Sequence, residues 1–128
     1  MVIRILLADD HKIVRDGLRT LIEKEAGLEV AGEADNGRKT LKLAQKIHPH
    51  VVVMDVTMPD MNGIDATRKI TNEIPGVKVV ALSMHSDRRF VLGMLEAGAS
   101  GYLLKDCAFD ELAKAIRSVA AGHTYLSP

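Results

Sequence analysis

The sequence is short of the residues that redox, zinc and membrane chemistry need. Its single cysteine, Cys107, cannot close an internal disulfide and has no Cys/His cluster to join as a zinc ligand. Near a predicted helix start but with no base beside it, the thiol reads as inert. The five histidines are scattered and are assigned no metal role. No apolar run approaches the ~20 residues that a membrane-crossing helix requires. No basic-then-apolar leader precedes a small-residue cleavage site, and the N-terminus reads directly as a strand. The expectation is a soluble cytoplasmic protein without membrane association. Excess charge is missing too, because 17 Lys and Arg balance 17 Asp and Glu. A stand-alone nucleic-acid binder presents a basic face, so direct nucleic-acid binding by these residues is not expected.

What the chain does contain is apolar residues, 47% of 128, at the size of one domain. Val2 to Ala8, broken only by Arg4, reads as a buried strand that stops at Asp9-Asp10. Ile13, Val14, Gly17, Leu18, Leu21 and Ile22 then recur at helical spacing, with Lys12, Arg15, Asp16, Arg19, Glu23 and Lys24 opposite, and Gly27 ends that helix. Leu28 to Gly32 predicts a second strand. Leu41, Ala44, Gln45 and Ile47 mark a helix that stops before Pro49. A third strand, Val51 to Met54, ends at Asp55, and Met58 to Gly63 has turn chemistry. Ile64, Arg68, Ile70 and Ile74 suggest a third helix closed by Pro75-Gly76. Val77 to Leu82 is a fourth strand running into Ser83, followed by a helix from about Asp87 to Ala97. Gly101 to Leu104 is a fifth strand ending at Lys105. Phe109, Leu112, Ile116 and Val119 stripe a last helix that ends near Gly122, and Gly122 to Pro128 reads as a linker.

Five apolar strands alternating with five amphipathic helices imply right-handed parallel crossovers and a doubly wound α/β domain. Such folds bind ligands beyond the carboxyl ends of their strands. Here those ends carry Asp9-Asp10, Asp55, Ser83 and Lys105, with Asp60 close enough in sequence to join them. Crowded carboxylates repel unless a hard cation shares them, and Mg²⁺ takes oxygen ligands while keeping waters for phosphate oxygens. An aspartate can attack phosphorus to form an acyl phosphate, with a lysine and the metal neutralising the equatorial oxygens. Asp55 is the best candidate nucleophile. The bland alternatives are Asp9 and Asp10 as caps of the first helix, Asp55 as a solvated strand end, Ser83 as a space-filler and Lys105 as a surface amine. Their joint placement is what argues against those alternatives.

From Ile3 to about Ala121 the sequence resembles the receiver domains of two-component response regulators. The resemblance lies in Leu7-Ala8-Asp9-Asp10-His11, Met54-Asp55-Val56-Thr57-Met58-Pro59-Asp60-Met61-Asn62-Gly63, Ala81-Leu82-Ser83 and Gly101-Tyr102-Leu103-Leu104-Lys105. It implies a flavodoxin-like (βα)5 fold with a five-stranded parallel sheet in order 2-1-3-4-5. It implies Asp55 as phospho-acceptor from a sensor histidine kinase, with Mg²⁺, or Mn²⁺ in its place, on Asp9, Asp10, Asp55 and the Thr57 backbone carbonyl. Ser83 and Lys105 would bind phosphoryl oxygens, and Tyr102 would be the switch aromatic, swinging inward as Ser83 is drawn to the phosphoryl group. Self-catalysed acceptance and slow self-hydrolysis are the only chemistry implied, with Thr57 and His85 influencing the lifetime.

The segments Leu82-Ser83-Met84-His85, Ala97 to Tyr102 and Ala121 to Pro128 resemble the NarL/FixJ-type branch. That implies residues 1–121 as the receiver and residues 122–128 as the start of a linker to a helix-turn-helix DNA-binding domain, with dimerisation on activation. The chain then reads as part of a longer transcription regulator. Two departures stand out. Ser83 lacks the methyl that would restrict its rotamer, and Asp106 stands where many receivers have proline. A non-proline cis bond costs about 2.5–4 kcal/mol, so the Lys105–Asp106 isomer is left open. Among other readings, a phosphohydrolase of the haloacid dehalogenase type needs a second aspartate where Thr57 stands. A flavodoxin-like cofactor binder would not place Asp9-Asp10 against a phosphate without a metal. A constitutive, non-switching interaction module would be suspected from a missing acceptor or lysine, and neither is missing.

Overall fold

The computed structural model of the chain describes residues 2–84 and 88–126, and only the backbone of Arg88, Cys107 and Phe109. Expectations that fall on His85, the Asp87 helix start, the Cys107 thiol, the Phe109 side chain and residues 127–128 lie outside the described residues. Six strands are present: β1 (Ile3–Ala8), β2 (Leu28–Ala34), β3 (Val51–Asp55), β4 (Lys78–Ser83), β5 (Gly101–Leu104) and β6 (Tyr125–Leu126). They pair in parallel in the order β2-β1-β3-β4-β5-β6. The connecting helices are α1 (Lys12–Glu23), α2 (Gly37–Ile47), α3 (Gly63–Glu73), α4 (Arg88–Glu96) and α5 (Lys105–Ala120).

The interiors of the central strands are apolar because both sheet faces are covered there, whereas the edge strand β2 carries Glu29 and Glu33. Alternate residues serve opposite layers: Leu6, Ala8, Val52, Met54, Val79, Ala81 and Tyr102 pack with Ala44, Ala66, Ile70 and Met94 from α2, α3 and α4. Ile5, Leu7, Val51, Val53, Val80, Leu82 and Leu103 pack with Leu18, Ile22, Leu112 and Ile116 from α1 and α5. The doubly wound fold and the order 2-1-3-4-5 are as expected, with one strand added. No helix among the described residues is long and apolar enough to cross a membrane.

Three details differ from the sequence reading, and one that it leaves open is settled. Within the segment read as a linker, Tyr125 and Leu126 form β6, and the Tyr125 amide donates to the Ser100 carbonyl at 3.0 Å. Two residues are too few to show strand alternation, so composition alone marked them as linker. Ile13, placed on the apolar face of α1, is 87% exposed, and the buried stripe is carried by Leu18 and Ile22. Asn62-Gly63, read as a turn, starts α3 instead: the Asn62 side chain accepts the Asp65 amide at 2.9 Å as an N-cap. The Lys105–Asp106 bond is trans, since no described residue follows a cis peptide.

Candidate functional site

Strand register assembles the site. Ala8 pairs with Met54, so Asp9 and Asp55 leave neighbouring strands side by side, and both continue the row that faces α1 and α5. Asp55 pairs with Leu82 and Ser83 with Leu104, which brings the ends of β4 and β5 to the same rim. Asp9, Asp55 and Ser83 are each only 1% exposed. The Lys105 ammonium, on a side chain 13% exposed, lies 3.1 Å from Asp9 Oδ2 and 3.3 Å from Asp55 Oδ2.

Glycine at position 63 is a steric requirement of this corner. A Cβ there would stand 2.1 Å from the Asp55 carbonyl oxygen, and the Gly63 amide donates to the Val56 carbonyl at 2.9 Å. Gly37, the first residue of α2, meets the Met61 carbonyl in the same way, where a Cβ would approach to 2.0 Å. The loop after β3 is therefore clamped between two helix starts, and within it Asp60 takes a left-handed backbone at φ 71°. Asp60 does not join the other carboxylates. Its Oδ2 lies 3.1 Å from Arg38 Nε, and both side chains are exposed.

The helix-cap alternative for Asp9 and Asp10 fails in detail. The N-cap of α1 is His11, which makes no side-chain cap bond, and Asp9 Oδ1 accepts the His11 amide at 2.8 Å. Oδ2 of both Asp9 and Asp55 is buried without a directed hydrogen bond, although each stands at ion-pair distance from Lys105. One ammonium facing two such oxygens leaves acceptor capacity unfilled. Burial, followed by the charge of Asp9, raises the Asp55 pKa to about 6 against the opposing pull of Lys105 and of the Thr57 amide, which donates to Asp55 Oδ1 at 3.2 Å. For Lys105, burial acts to lower the pKa, but Asp55 and Asp9 outweigh it and the net shift is upward.

This donor set fits a hard divalent cation. Ligand atoms of Asp9, Asp10, His11 and Asp55 all lie within 4.8 Å of one another, and the exposed Asp10 gives the cluster access to solvent. Thr57 reaches the site through its amide. Tyr102 is 4% exposed and packs in the layer of α2, α3 and α4 with Ala81 and Met94, so it is inward in this structure.

Sequence reasoning missed two residues. His11 Nδ1 lies 3.3 Å from Asp9 Oδ1 and 3.1 Å from Asp10 Oδ1, although the sequence reading assigns no histidine a metal role. Arg15, assigned to the outer face of α1, donates from Nη1 to the Asp9 carbonyl at 2.7 Å. The available signal was spacing: His11 and Arg15 are one helical turn apart immediately after the acidic pair, which turns both back toward it.

The family described as Response regulator receiver domain matches residues 5–117. The chain is 44% identical to the response regulator GacA of Pseudomonas viridiflava, over 98% of this chain and 59% of that protein. It is 40% identical to the transcriptional regulatory protein DegU of Brevibacillus brevis, over 98% of this chain and 53% of that one. It thus spans a little over half the length of these curated relatives. A two-component response regulator of the LuxR family from Aurantimonas sp. SI85-9A1 superposes with a TM-score of 0.95 at 41% identity, covering 100% of this chain and 91% of that one. The non-phosphorylated receiver domain of the stress response regulator RcsB from Escherichia coli gives 0.92 at 26% identity, with 100% of both chains covered.

Proposed function

The chain belongs to the response regulator receiver domain family, in its NarL/FixJ-type branch, and we propose that it is a phosphorylation switch with Asp55 as the acceptor. The observation that carries this reading is the buried Asp55 Oδ2, free of any directed hydrogen bond and 3.3 Å from the Lys105 ammonium. A nucleophilic oxygen needs an uncommitted lone pair and a neighbouring cation to take up charge in the transition state. With its pKa at about 6, Asp55 is largely ionised at neutral pH and able to attack.

In the proposed reaction Asp55 Oδ2 attacks phosphorus in line, the bond from phosphorus to the donor breaks, and the donor leaves with its electron pair. The donor is a phosphohistidine of a sensor histidine kinase, or a small acyl phosphate. Asp9, Asp10, Asp55 and the Thr57 carbonyl would hold Mg²⁺, or Mn²⁺ in its place, which when bound neutralises charge on the transferring oxygens. Lys105 follows one phosphoryl oxygen as the ion pair with Asp55 is replaced, and the Ser83 hydroxyl donates to another. Ala81 and Ser83 lie two residues apart on β4, and Tyr102 is the register partner of Ala81. Movement of the Ser83 end of β4 is thereby passed to the Tyr102 packing, shifting a two-state equilibrium by its differential contacts. In the cytoplasm the shifted surface controls a C-terminal helix-turn-helix domain and a phosphorylation-dependent homodimer, and so transcription.

Intact mass after incubation with acetyl phosphate and Mg²⁺ tests the proposal. One phosphoryl adduct is expected on the wild type, with none on Asp55→Asn or on chelated protein. A folded wild type that takes no adduct would make Asp55 a structural carboxylate and the domain a constitutive interaction module.

A further inference from the structure

We propose that Arg15, held by Glu33, is a positioning residue that sets how tightly the Asp9–Asp10 corner grips a divalent cation. The inference rests on reading Asp9 and Asp10 as metal carboxylates. Both carboxylates hang from one peptide unit, whose oxygen is the Asp9 carbonyl. That oxygen accepts Arg15 Nη1 at 2.7 Å. On the other side of Asp9, its amide donates to the Ala34 carbonyl of β2 at 3.1 Å. The backbone that carries the acidic pair is thus fixed by β2 on one side and by Arg15 on the other.

Arg15 is itself held at a second point. Its Nε donates to Glu33 Oε1 at 3.0 Å, across the seam between α1 and β2, and both side chains are largely buried. A planar guanidinium can serve a carbonyl and a carboxylate together through different nitrogens, which an ammonium on a flexible stem does less well. Arg19 Nε also lies 2.8 Å from Glu33, at Oε2, but its N–H is not directed into a hydrogen bond. A cavity of about 160 Å³ borders the pair, lined by Arg15, Glu33, Ala34, Asp35 and Lys39. Water can therefore replace a lost guanidinium and satisfy the carbonyl, but it cannot fix the plane of the peptide.

Charge alone argues the opposite way, which makes the inference testable. Removing a cation near the acidic pair should tighten Mg²⁺ binding by simple electrostatics, whereas loss of positioning should weaken it. Groups that orient metal ligands from outside the coordination shell typically change affinity by about 10–100-fold when removed.

The experiment is a Mg²⁺ titration of the 128-residue chain followed through the backbone amide resonances of Asp9, Asp10 and His11, with urea unfolding alongside. Arg15→Gln is expected to weaken Mg²⁺ binding by about tenfold or more. Glu33→Gln should weaken it less, and Arg15→Lys should recover part of the loss. Arg19→Gln shares Glu33 but does not touch Asp9, so it should lower the urea midpoint and leave Mg²⁺ affinity within about twofold of the wild type. If Arg15→Gln binds Mg²⁺ as tightly as the wild type or more tightly, the positioning role is overturned, even where stability has fallen. If that variant does not fold, Arg15→Lys and Glu33→Gln carry the same comparison. A wild type without Mg²⁺-dependent shifts would overturn the metal reading of Asp9 and Asp10, and this inference with it.

Discussion

Lys105 and Asp55 meet as a largely buried ion pair, Nζ to Oδ2 at 3.3 Å, yet the Asp55 pKa is raised to about 6 rather than lowered. Burial and the neighbouring Asp9 outweigh the ammonium. Because the folded-state value lies above the ordinary aspartate value of 3.8, the folded chain binds more protons than the unfolded chain between about pH 3.8 and 6. Stability in metal-free buffer should therefore fall as pH rises through that window. Asp55→Asn removes the penalty and should stabilise the chelated protein at pH 7.5 by about 1–3 kcal/mol, with little difference near pH 4. Urea unfolding in EDTA at the two pH values is the check, and a difference that does not change with pH would sink the argument.

Removing Lys105 should have the opposite sign and the same pH signature. Lys105→Met leaves Asp9 and Asp55 buried together without a cation, so Asp55 should titrate above 6. The chelated variant should lose about 2–4 kcal/mol at pH 7.5, but much less near pH 4, where protonation relieves the repulsion. In Lys105→Met/Asp55→Asn most of that loss should return, because only one carboxylate then needs compensation. A double variant as unstable as the single one would mean that Lys105 stabilises by packing.

On the proposed reading, Mg²⁺ should compete with the proton that Asp55 would otherwise take. Saturation at about a hundred times Kd should add about 2.7 kcal/mol to unfolding at pH 7.5. The gain should shrink below pH 6 as Asp55 protonates, and it should disappear in Asp9→Asn/Asp10→Asn. Thermal melts with and without Mg²⁺ at pH 5 and 7.5 measure it. An equal shift at both values would place the ion somewhere other than at Asp55.

The sequence was most informative where one physical pattern dominated. Strands buried on both faces must be nearly continuously apolar, so Val51 to Met54 and Val77 to Leu82, broken only by Lys78, identified themselves, and with them the strand ends that bear Asp55 and Ser83. Asp60 misled because proximity in sequence says nothing of direction: a left-handed backbone turns it outward to Arg38. Ile13 misled because helical spacing identifies a face but not how far the partner layer extends, and Ile13 is left in solvent while its neighbour Val14 packs on the core. Arg15 was hidden for a related reason, since a long charged side chain on an outer face can fold back along its helix to a strand end. Gly63 had a legible identity but an illegible reason, because its contact is with the Asp55 carbonyl.

That contact sets a steric test. Gly63→Ala would put a methyl 2.1 Å from the Asp55 carbonyl oxygen, which requires α3 or the end of β3 to shift. The expected loss is about 3 kcal/mol or more, together with slower acetyl phosphate labelling of whatever folded protein remains, because the strand that carries the proposed acceptor moves. Gly76→Ala is the control, since its Cβ meets nothing within 4 Å; strain at its φ of 86° should cost about 1 kcal/mol or somewhat more and leave labelling unchanged. Equal labelling rates in the two folded variants would show that the Asp55 end of β3 tolerates displacement.

The last prediction concerns the strand that composition concealed. β6 is a two-residue strand at the edge of the sheet: the Tyr125 amide bonds to the Ser100 carbonyl at 3.0 Å, Tyr125 and Leu126 pair with Gly101 and Tyr102, and the Tyr125 hydroxyl hydrogen-bonds to Glu111 of α5. Gly101 allows the approach, because a Cβ there would already stand 3.3 Å from the Tyr125 carbonyl oxygen. As a two-residue edge strand, β6 should open locally, well below the free energy of global unfolding. Tyr125→Phe removes one side-chain hydrogen bond worth about 1 kcal/mol. Amide exchange at Tyr125 should therefore quicken by roughly fivefold, while the urea midpoint hardly moves. Because Leu126 is the register partner of Tyr102, the same opening places the proposed switch aromatic next to the segment by which the chain leaves the sheet. Phosphorylation of Asp55 should then alter exchange at Tyr125 in the wild type. If exchange there is the same with and without the phosphoryl adduct, β6 is a passive end of the sheet and takes no part in transmitting the switch.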